Sequence, residues 1–267
     1  MQVTNENYYS KEVRSKYLSA TSIKEIIGTA NSDKSGCPAA AKAKQNGWKS
    51  QFDKDDKALL IGSYVDAYYE GALEQFKENN PKIYNSKTGE LKADYQHADI
   101  IIKYIERDSL FMQFMKGEKQ KIYQTELFGL PIIAKLDFEQ SDKIIDLKVM
   151  ATMNPEYIKG LGYVPFIEAW GYDLQLGVYQ KIIENITGIK KDCYIAVATK
   201  QKPPRKAIVK IPQEKLNDEI MWIASQLSVL EYYLTDNPQP HCGKCDYCLE
   251  TQNITKETDY SDLSFKN

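Results

Sequence analysis

Apolar residues recur at helical spacing through the first 115 positions, then switch to two-residue alternation, then mix the two patterns to near position 234. A first helix is expected from near Ser22, with Glu25 three residues on as the partner in a capping box. A polar stretch from Asn31 to Gly36 leads into Cys37-Pro38. Residues 54–77 read as one long helix whose apolar stripe is Leu59, Leu60, Tyr64, Ala67 and Tyr68. After a loop over 78–90, residues 92–115 read as another, built on Ile100, Ile101, Tyr104 and Phe111. Strands are expected at 121–127, 131–138 and 143–149, the last two joined into a hairpin by a turn over Glu139 to Asp142. Residues 168–186 form an amphipathic helix, strands at 192–199 and 206–212 flank a loop from Lys200 to Arg205, and a last helix spans 213–234. From Thr251 onward no period survives, so 251–267 read as a flexible tail. Helices first, then hairpin strands, then an alternation of the two predict an α/β class with a mixed central sheet flanked by helices.

The 267 residues, 42% hydrophobic and 27% charged, suit one domain over residues 1–250. No stretch approaches the roughly 18–20 consecutive apolar residues of a membrane helix. The polar start, Met1 to Tyr8, lacks a signal-peptide core, so a cytoplasmic protein without membrane contact is expected. A formal net charge of -2 argues against a basic, DNA-coating protein. A nucleic-acid site would have to be local, with a bound divalent cation adding positive charge that the sequence does not show.

The segment Ala134 to Lys148 carries the candidate chemistry. Asp137 ends one expected strand; Asp146 and Lys148 stand two apart on the next and so share a face. Ile144, Ile145, Leu147 and Val149 make that strand a buried one, where a charge is costly unless paired or holding a metal. Asp137, Asp146 and a backbone carbonyl, that of Leu147, form an oxygen-rich set suited to magnesium or manganese. Such an ion polarises a phosphoryl oxygen and lowers the pKa of bound water, while Lys148 is placed to orient or deprotonate that water. The competing reading is an ordinary Asp–Lys pair on an exposed hairpin.

Gly129-Leu-Pro-Ile-Ile-Ala-Lys-Leu-Asp137 followed by Ile144-Ile-Asp-Leu-Lys148 resembles the core of the PD-(D/E)XK nuclease superfamily, in particular RecB-type nucleases and phage or prophage RecE-like exonucleases. Leu60-Ile-Gly-Ser-Tyr-Val-Asp66 is similar to the upstream helix motif of that family, and Gln175-Leu-Gly-Val-Tyr179 to its Q-x-x-x-Y motif; the likeness covers residues 17–250. It implies a restriction-endonuclease-like core and a catalytic set of Asp137, Asp146, Lys148, Gln175 and Tyr179. The metal ligands would be Asp66, Asp137, Asp146 and the Leu147 carbonyl. Asp66 stands where the family usually has His, which bears on metal preference, and Glu70 one turn on is placed to assist it. Gly62, one turn before Asp66, would let the helix approach another backbone closely. Gln175 and Tyr179, at i and i+4, would order Lys148 and touch the strand being cut; otherwise they are a surface Gln beside a core Tyr. Glu126 reads equally as a supporting carboxylate or as a plain strand-face residue.

Lys190 to Lys210 holds seven basic residues and one Asp. Lys200, Lys202, Arg205 and Lys206 in its Pro-bearing loop would contact DNA phosphates, or else form a solvated hairpin tip. Cys242, Cys245 and Cys248 make a C-x2-C-x2-C run, and Cys37 is the natural fourth ligand. Several RecB-type nucleases have one N-terminal and three C-terminal cysteines around a 4Fe–4S cluster, and this layout resembles theirs. Zinc, with His241 as a further ligand, is the alternative. Cys193 reads as a core residue and His97 as structural or solvated.

The resemblance implies a magnesium- or manganese-dependent DNA exonuclease. It would act on the ends of linear double-stranded DNA in phage or prophage recombination, with a single-strand annealing protein as partner and a homo-oligomeric state. A CRISPR-adaptation or repair nuclease of the same core, a non-catalytic DNA-end-binding module, and a protein whose iron–sulfur cluster carries the function are the other readings.

Overall fold

Ser19, not Ser22, starts the first core helix. The computed structural model describes residues 1–30, 36–52, 57–255 and 257. A short helix that the apolar pattern did not suggest comes first, α1 (Lys11–Lys16), capped by the Ser10 side chain. In α2 (Ala20–Ile27) the Ser19 and Ser22 hydroxyls cap each other's backbone N–H groups, so Ser22 is the inner member of the capping box and Glu25 takes no part. Helix α3 (Pro38–Gln45) opens at Cys37, whose sulfur accepts the Ala40 N–H.

Four long helices read from the sequence are each broken once, the last two at Gly171 and Gln226. Residues 57–79 form α4 (Lys57–Glu70) and α5 (Leu73–Asn79), residues 93–114 form α6 (Ala93–Glu106) and α7 (Ser109–Phe114). The Asp108 carboxylate caps α7 and ends the run through α6. The start of the expected 54–77 helix, 54–56, lies outside the described residues. The buried stripes also shift by one residue. Ile61, Tyr64, Val65 and Tyr69 face inward on α4 while Leu59 and Tyr68 are exposed, and on α6 Ile102 and Ile105 take the place given to Ile100.

The sheet follows: β1 (Glu118–Leu127), β2 (Leu130–Glu139) and β3 (Lys143–Met150), then a small hairpin of β4 (Glu156–Ile158) and β5 (Gly162–Val164). Next come α8 (Phe166–Trp170), α9 (Tyr172–Thr187), β6 (Asp192–Thr199), β7 (Lys206–Lys210), α10 (Gln213–Ser225), α11 (Leu227–Tyr233) and α12 (Asp246–Glu250). Gly171 separates α8 from α9 with φ +63°, a conformation that glycine adopts without the steric cost of a Cβ. The central sheet runs β1-β2-β3-β6-β7, with β3 and β6 parallel and the other pairs antiparallel, so the mixed sheet is as expected.

Alternation along the strands splits the interior in two. Ile144, Ile195 and Val197 pack with α2, α9, α10 and α11 on one face. Ile145, Leu147, Ala196 and Ala198 pack with α4, α6 and α7 on the other. Each fully buried Ile or Leu contributes about 1.5–3 kcal/mol before entropic costs, so β3 and β6, covered on both faces, are a rigid frame. Among the described residues no helix is long and apolar enough to cross a membrane. The expected tail over 251–267 lies mostly outside the described residues.

Candidate active site

The candidate site forms where β2 and β3 part. These strands pair only at Phe138–Ile145 and Glu139–Ile144. Beyond that point β3 continues along β6 and β2 stays with β1. Where the ladder stops, Asp137 takes over: its Oδ2 accepts the Leu147 N–H at 2.9 Å. In an extended strand a residue's N–H and C=O lie along the same edge, so the Leu147 carbonyl looks into the same gap. Asp137 also marks a break in β2. Leu136 belongs to the core on the α9 face and Phe138 to the core on the α4 face, although strict alternation would give them one side. Gln120, between the β1 residues that pair with Leu136 and Phe138, has φ +53°. Irregularities of this kind re-aim side chains at sites, and here one turns Asp137 toward β3.

Asp146 and Lys148 share the α9 face of β3. The Lys148 Nζ lies 2.5 Å from Asp146 Oδ2 and 5.2 Å above the Tyr172 ring. Gln175 Nε2 donates to Asp146 Oδ1 at 2.7 Å and to the Tyr179 hydroxyl at 3.2 Å. Asp146 is 2% exposed, and its Oδ2 has no aligned hydrogen-bond donor, only the charge of Lys148. Burial works to lower the Lys148 pKa, but Asp146 and Asp137 outweigh it and hold it above the ordinary lysine value. Burial, then the Asp146 charge, pushes the Asp137 carboxyl up to about 7, against the pull of Lys148.

Asp66 approaches from α4. With Glu70, Asp137, Leu147 and Gln120 it lines a pocket of about 210 Å³ that adjoins the strand gap. Burial, then the Asp137 charge, raises its pKa well above the usual carboxylate range. Close carboxylates at Asp66 and Asp137 that resist ionisation, beside an Asp146 oxygen met only by Lys148, are short of positive charge. Oxygen donors from Asp66, Asp137, Asp146 and the Leu147 carbonyl suit a hard divalent cation. An added Cβ at Gly62 would meet the Val149 carbonyl oxygen at 4.0 Å, an ordinary contact, so close approach does not require glycine there. Glu126 is exposed near the far end of β1, remote from the gap.

The basic loop divides. Lys202 and Arg205 are exposed at its tip. Lys206 is used within the protein, donating to the Tyr104 carbonyl at 2.5 Å and pairing with Asp108 at 3.2 Å. Lys200 is half-buried within reach of the Asp66 charge, and burial lowers its pKa. His97, buried on α6, bonds the Lys200 carbonyl at 2.9 Å and so fixes the base of the loop.

Cys37, Cys242, Cys245 and Cys248 meet at the other end of the chain's path, all four sulfurs within 4.8 Å of one another. Cys37 and Cys248 are 3.6 Å apart, Cys242 and Cys248 3.9 Å, and His241 Nδ1 is 3.4 Å from Cys248 Sγ. Gly36 makes this possible: a Cβ there would meet the Ile26 carbonyl carbon at 2.3 Å, and the Cys37 N–H bonds the Glu25 carbonyl. Cys193 is a buried core residue of β6. Helix α3, which Cys37 caps, also walls the open cleft over the acid site, a space of about 2040 Å³. Tyr9, Arg14 and Lys135 line that cleft as well; nothing in their sequence context singled them out, and Tyr172 was missed for the same reason.

Residues 19–251 match the family described as a PDDEXK-like domain of unknown function (DUF3799). No curated protein matches the chain. Among solved structures, a protein from Eubacterium rectale named "Putative exonuclease" is 39% identical, with 100% of each chain covered and a TM-score of 0.89.

Proposed function

This chain belongs to the PDDEXK-like family DUF3799, within the PD-(D/E)XK nuclease superfamily, and we propose that it is a metal-dependent exonuclease that hydrolyses DNA from an end. One observation carries the reading: the strand gap that gathers Asp137, the buried Asp146 and the paired Lys148. A divalent cation held by Asp66, Asp137, Asp146 and the Leu147 carbonyl would supply Lewis acidity and a bound water of lowered pKa. The chain's own groups do the rest. Gln175 fixes the Asp146 carboxylate by donating to Oδ1 and is itself held by Tyr179. Lys148, kept charged by two carboxylates, is placed to orient the attacking water and to offset negative charge on the phosphorus centre. The water oxygen would bond to phosphorus and give up a proton to solvent as the bond to the 3′ oxygen opposite breaks; that oxygen takes up a proton, leaving a 3′-hydroxyl and a 5′-phosphate. The name of the Eubacterium rectale neighbour supports action at an end. The test is digestion of 5′- and 3′-labelled linear duplex beside circular duplex. With magnesium the linear form should shorten from one end while the circle persists, and chelator should stop the shortening. Equal cutting of the circle would remove the exonuclease reading, and full activity in chelator would remove the metal.

The four sulfurs, within 4.8 Å of one another, are compatible with one tetrahedral zinc or with the 4Fe–4S cluster that the family layout implies, and we propose zinc. Thiolates about 2.3 Å from one zinc lie about 3.8 Å from each other, and two of the pairs here stand at 3.6 and 3.9 Å. A four-iron cube places each thiolate on a different iron and spreads them farther. Elemental analysis of anaerobically purified protein is expected to give one zinc per chain, absent in Cys37→Ser and retained in Cys193→Ser; iron with sulfide would reinstate the cluster.

A further inference from the structure

The N-terminal 18 residues precede the family match, yet they supply one wall of the cleft over the acid site. They are anchored rather than loose. Val3, Tyr8 and Val13 are buried against Ile133 of β2, Leu18 pairs with Ile132, and Gln124 of β1 binds both the Met1 carbonyl and the Tyr17 hydroxyl. Tyr9 turns outward: its neighbour Tyr8 is 8% exposed and Tyr9 is 62% exposed. The Tyr9 ring sits edge-on to Tyr8 at 5.0 Å. Two cations on long, flexible side chains stand over the ring, the Arg14 guanidinium at 5.4 Å and the Lys135 ammonium at 5.6 Å from its centroid, so a base stacking there would move one of them aside. Lys135 is two residues from Asp137 on β2, and Asp137, Asp66 and Glu70 all lie within electrostatic reach of the Tyr9 hydroxyl.

A large aromatic ring open to solvent on a fixed support is a surface that a ligand can cover. Its surroundings specify the cover. Flanking cations attract an anion, the ring accepts a flat π-face, and the acid site beside it acts on a phosphodiester. Nucleic-acid strands present this combination of base and phosphate, and base–aromatic stacking tolerates any sequence.

We propose that Tyr9, Arg14 and Lys135 form a docking shelf for an unpaired nucleotide of the strand entering the acid site, with its base against Tyr9 and its phosphate between the two cations. The inference rests on the nuclease reading and deepens it: the strand reaches the metal site unpaired, so the duplex separates at the mouth of the cleft. A base inside a duplex is stacked on both faces; only the terminal pair or an unpaired base offers one to the ring.

The test uses duplexes with a single-stranded tail carrying 2-aminopurine, bound by full-length Asp146→Asn protein so that cleavage does not interfere. Adding Tyr9→Ala is expected to weaken binding about tenfold, about 1.4 kcal/mol, and to abolish the fluorescence quench that stacking produces. Tyr9→Phe should keep both, because stacking needs the ring and not the hydroxyl. In protein with Asp146 intact, Tyr9→Ala should raise KM and leave kcat within about twofold. Unchanged binding and quench in Tyr9→Ala overturns the shelf alone, since the Asp146→Asn parent then still binds DNA and the protein with Asp146 intact still cuts it. Absence of DNA binding by the Asp146→Asn parent and of cutting by the protein with Asp146 intact overturns the nuclease reading and the shelf together.

Discussion

Two acid–lysine groups stand two residues apart on β2 and look alike in sequence. Glu139 is 5% exposed, and both its oxygens are taken: Lys191 at 2.6 Å on Oε1, the Tyr123 hydroxyl at 2.7 Å and Lys121 at 3.1 Å on Oε2. Burial works to raise its pKa, but those partners outweigh it and hold the carboxylate below its ordinary range. At Asp137 and Asp146 the balance is reversed. Three carboxylates gather around Lys148, with Lys200 only within reach of Asp66, and burial with mutual repulsion pushes Asp137 up to about 7. The first group is closed only in that every oxygen is already satisfied, for it too borders an open pocket of about 780 Å³. The second is open to a cleft and short of positive charge, which is the condition a bound cation and a phosphate ester would meet. Burial of a carboxylate beside a lysine is thus no sign of function by itself; the unmet partner is.

The comparison breaks most visibly under substitution. Asp146→Asn is expected to reduce cleavage at least about a hundredfold while the melting temperature holds or rises, because it removes a buried charge that lacks a full set of partners. Lys191→Ala should do the reverse. Leaving Glu139 buried with its strongest partner gone costs about 3 kcal/mol, roughly 6–12 °C in Tm, with the rate per folded molecule little changed. Calorimetry beside the digestion assay reads both; equal loss of activity in the two variants would show that the closed group also serves the reaction.

Acidity separates the two groups more finely. A carboxylate with a depressed folded pKa, Glu139, adds stability that is present above the unfolded value and lost as pH falls through the folded one. Asp137 has the opposite sign. With its pKa raised from 3.8 to about 7, the folded chain binds more protons than the unfolded chain across that interval, so metal-free stability falls as pH rises through it. Asp173 and Glu219, buried and raised to about 6 and about 7, add to the same slope. Urea unfolding in chelator from pH 5 to pH 8 should therefore show declining stability, shallower in Asp137→Asn. Magnesium should offset the decline at pH 8, because it binds the deprotonated carboxylates. An identical slope in Asp137→Asn would remove Asp137 from the account.

What the sequence disclosed follows from what each feature needs. Asp137, Asp146 and Lys148 were legible because charges inside an apolar strand pattern have few uses, and Gln175 and Tyr179 because i and i+4 on one helix face meet. Helix ends were read less well. The period runs on across Gly71, Arg107 and Gly171, so pairs of helices joined by a one- or two-residue break look like one. The three-residue strands β4 and β5 and the six-residue α1 are too short to show a period. Tyr9 left no mark, being one of 19 tyrosines whose role depends on chain folding back from β2. That Lys206 is tied to Asp108 rests on a contact between residues 98 positions apart, which no local pattern carries.

The last contrast lies within the basic loop, and its expected effect is the smallest. Lys202 and Arg205 are exposed at the tip, whereas Lys206 spends its charge on Asp108 and the Tyr104 carbonyl. Each phosphate neutralised by a free cation releases condensed counterions and adds about 0.9 to the slope of log binding constant against log salt. If the tip lies along the duplex, Lys202→Ala and Arg205→Ala should each lower that slope by about one, measured by anisotropy in calcium to prevent cutting. Lys206→Ala should leave the slope nearly unchanged and instead loosen the contact between β7 and the start of α7, seen as a drop in Tm of a few degrees at most, since a partly exposed ion pair contributes about 0–1 kcal/mol. A slope that responds to Lys206 but not to Lys202 or Arg205 would mean that DNA displaces Asp108 from its lysine. No response to any of the three would leave the tip a solvated turn and move the phosphate contacts to the cleft walls.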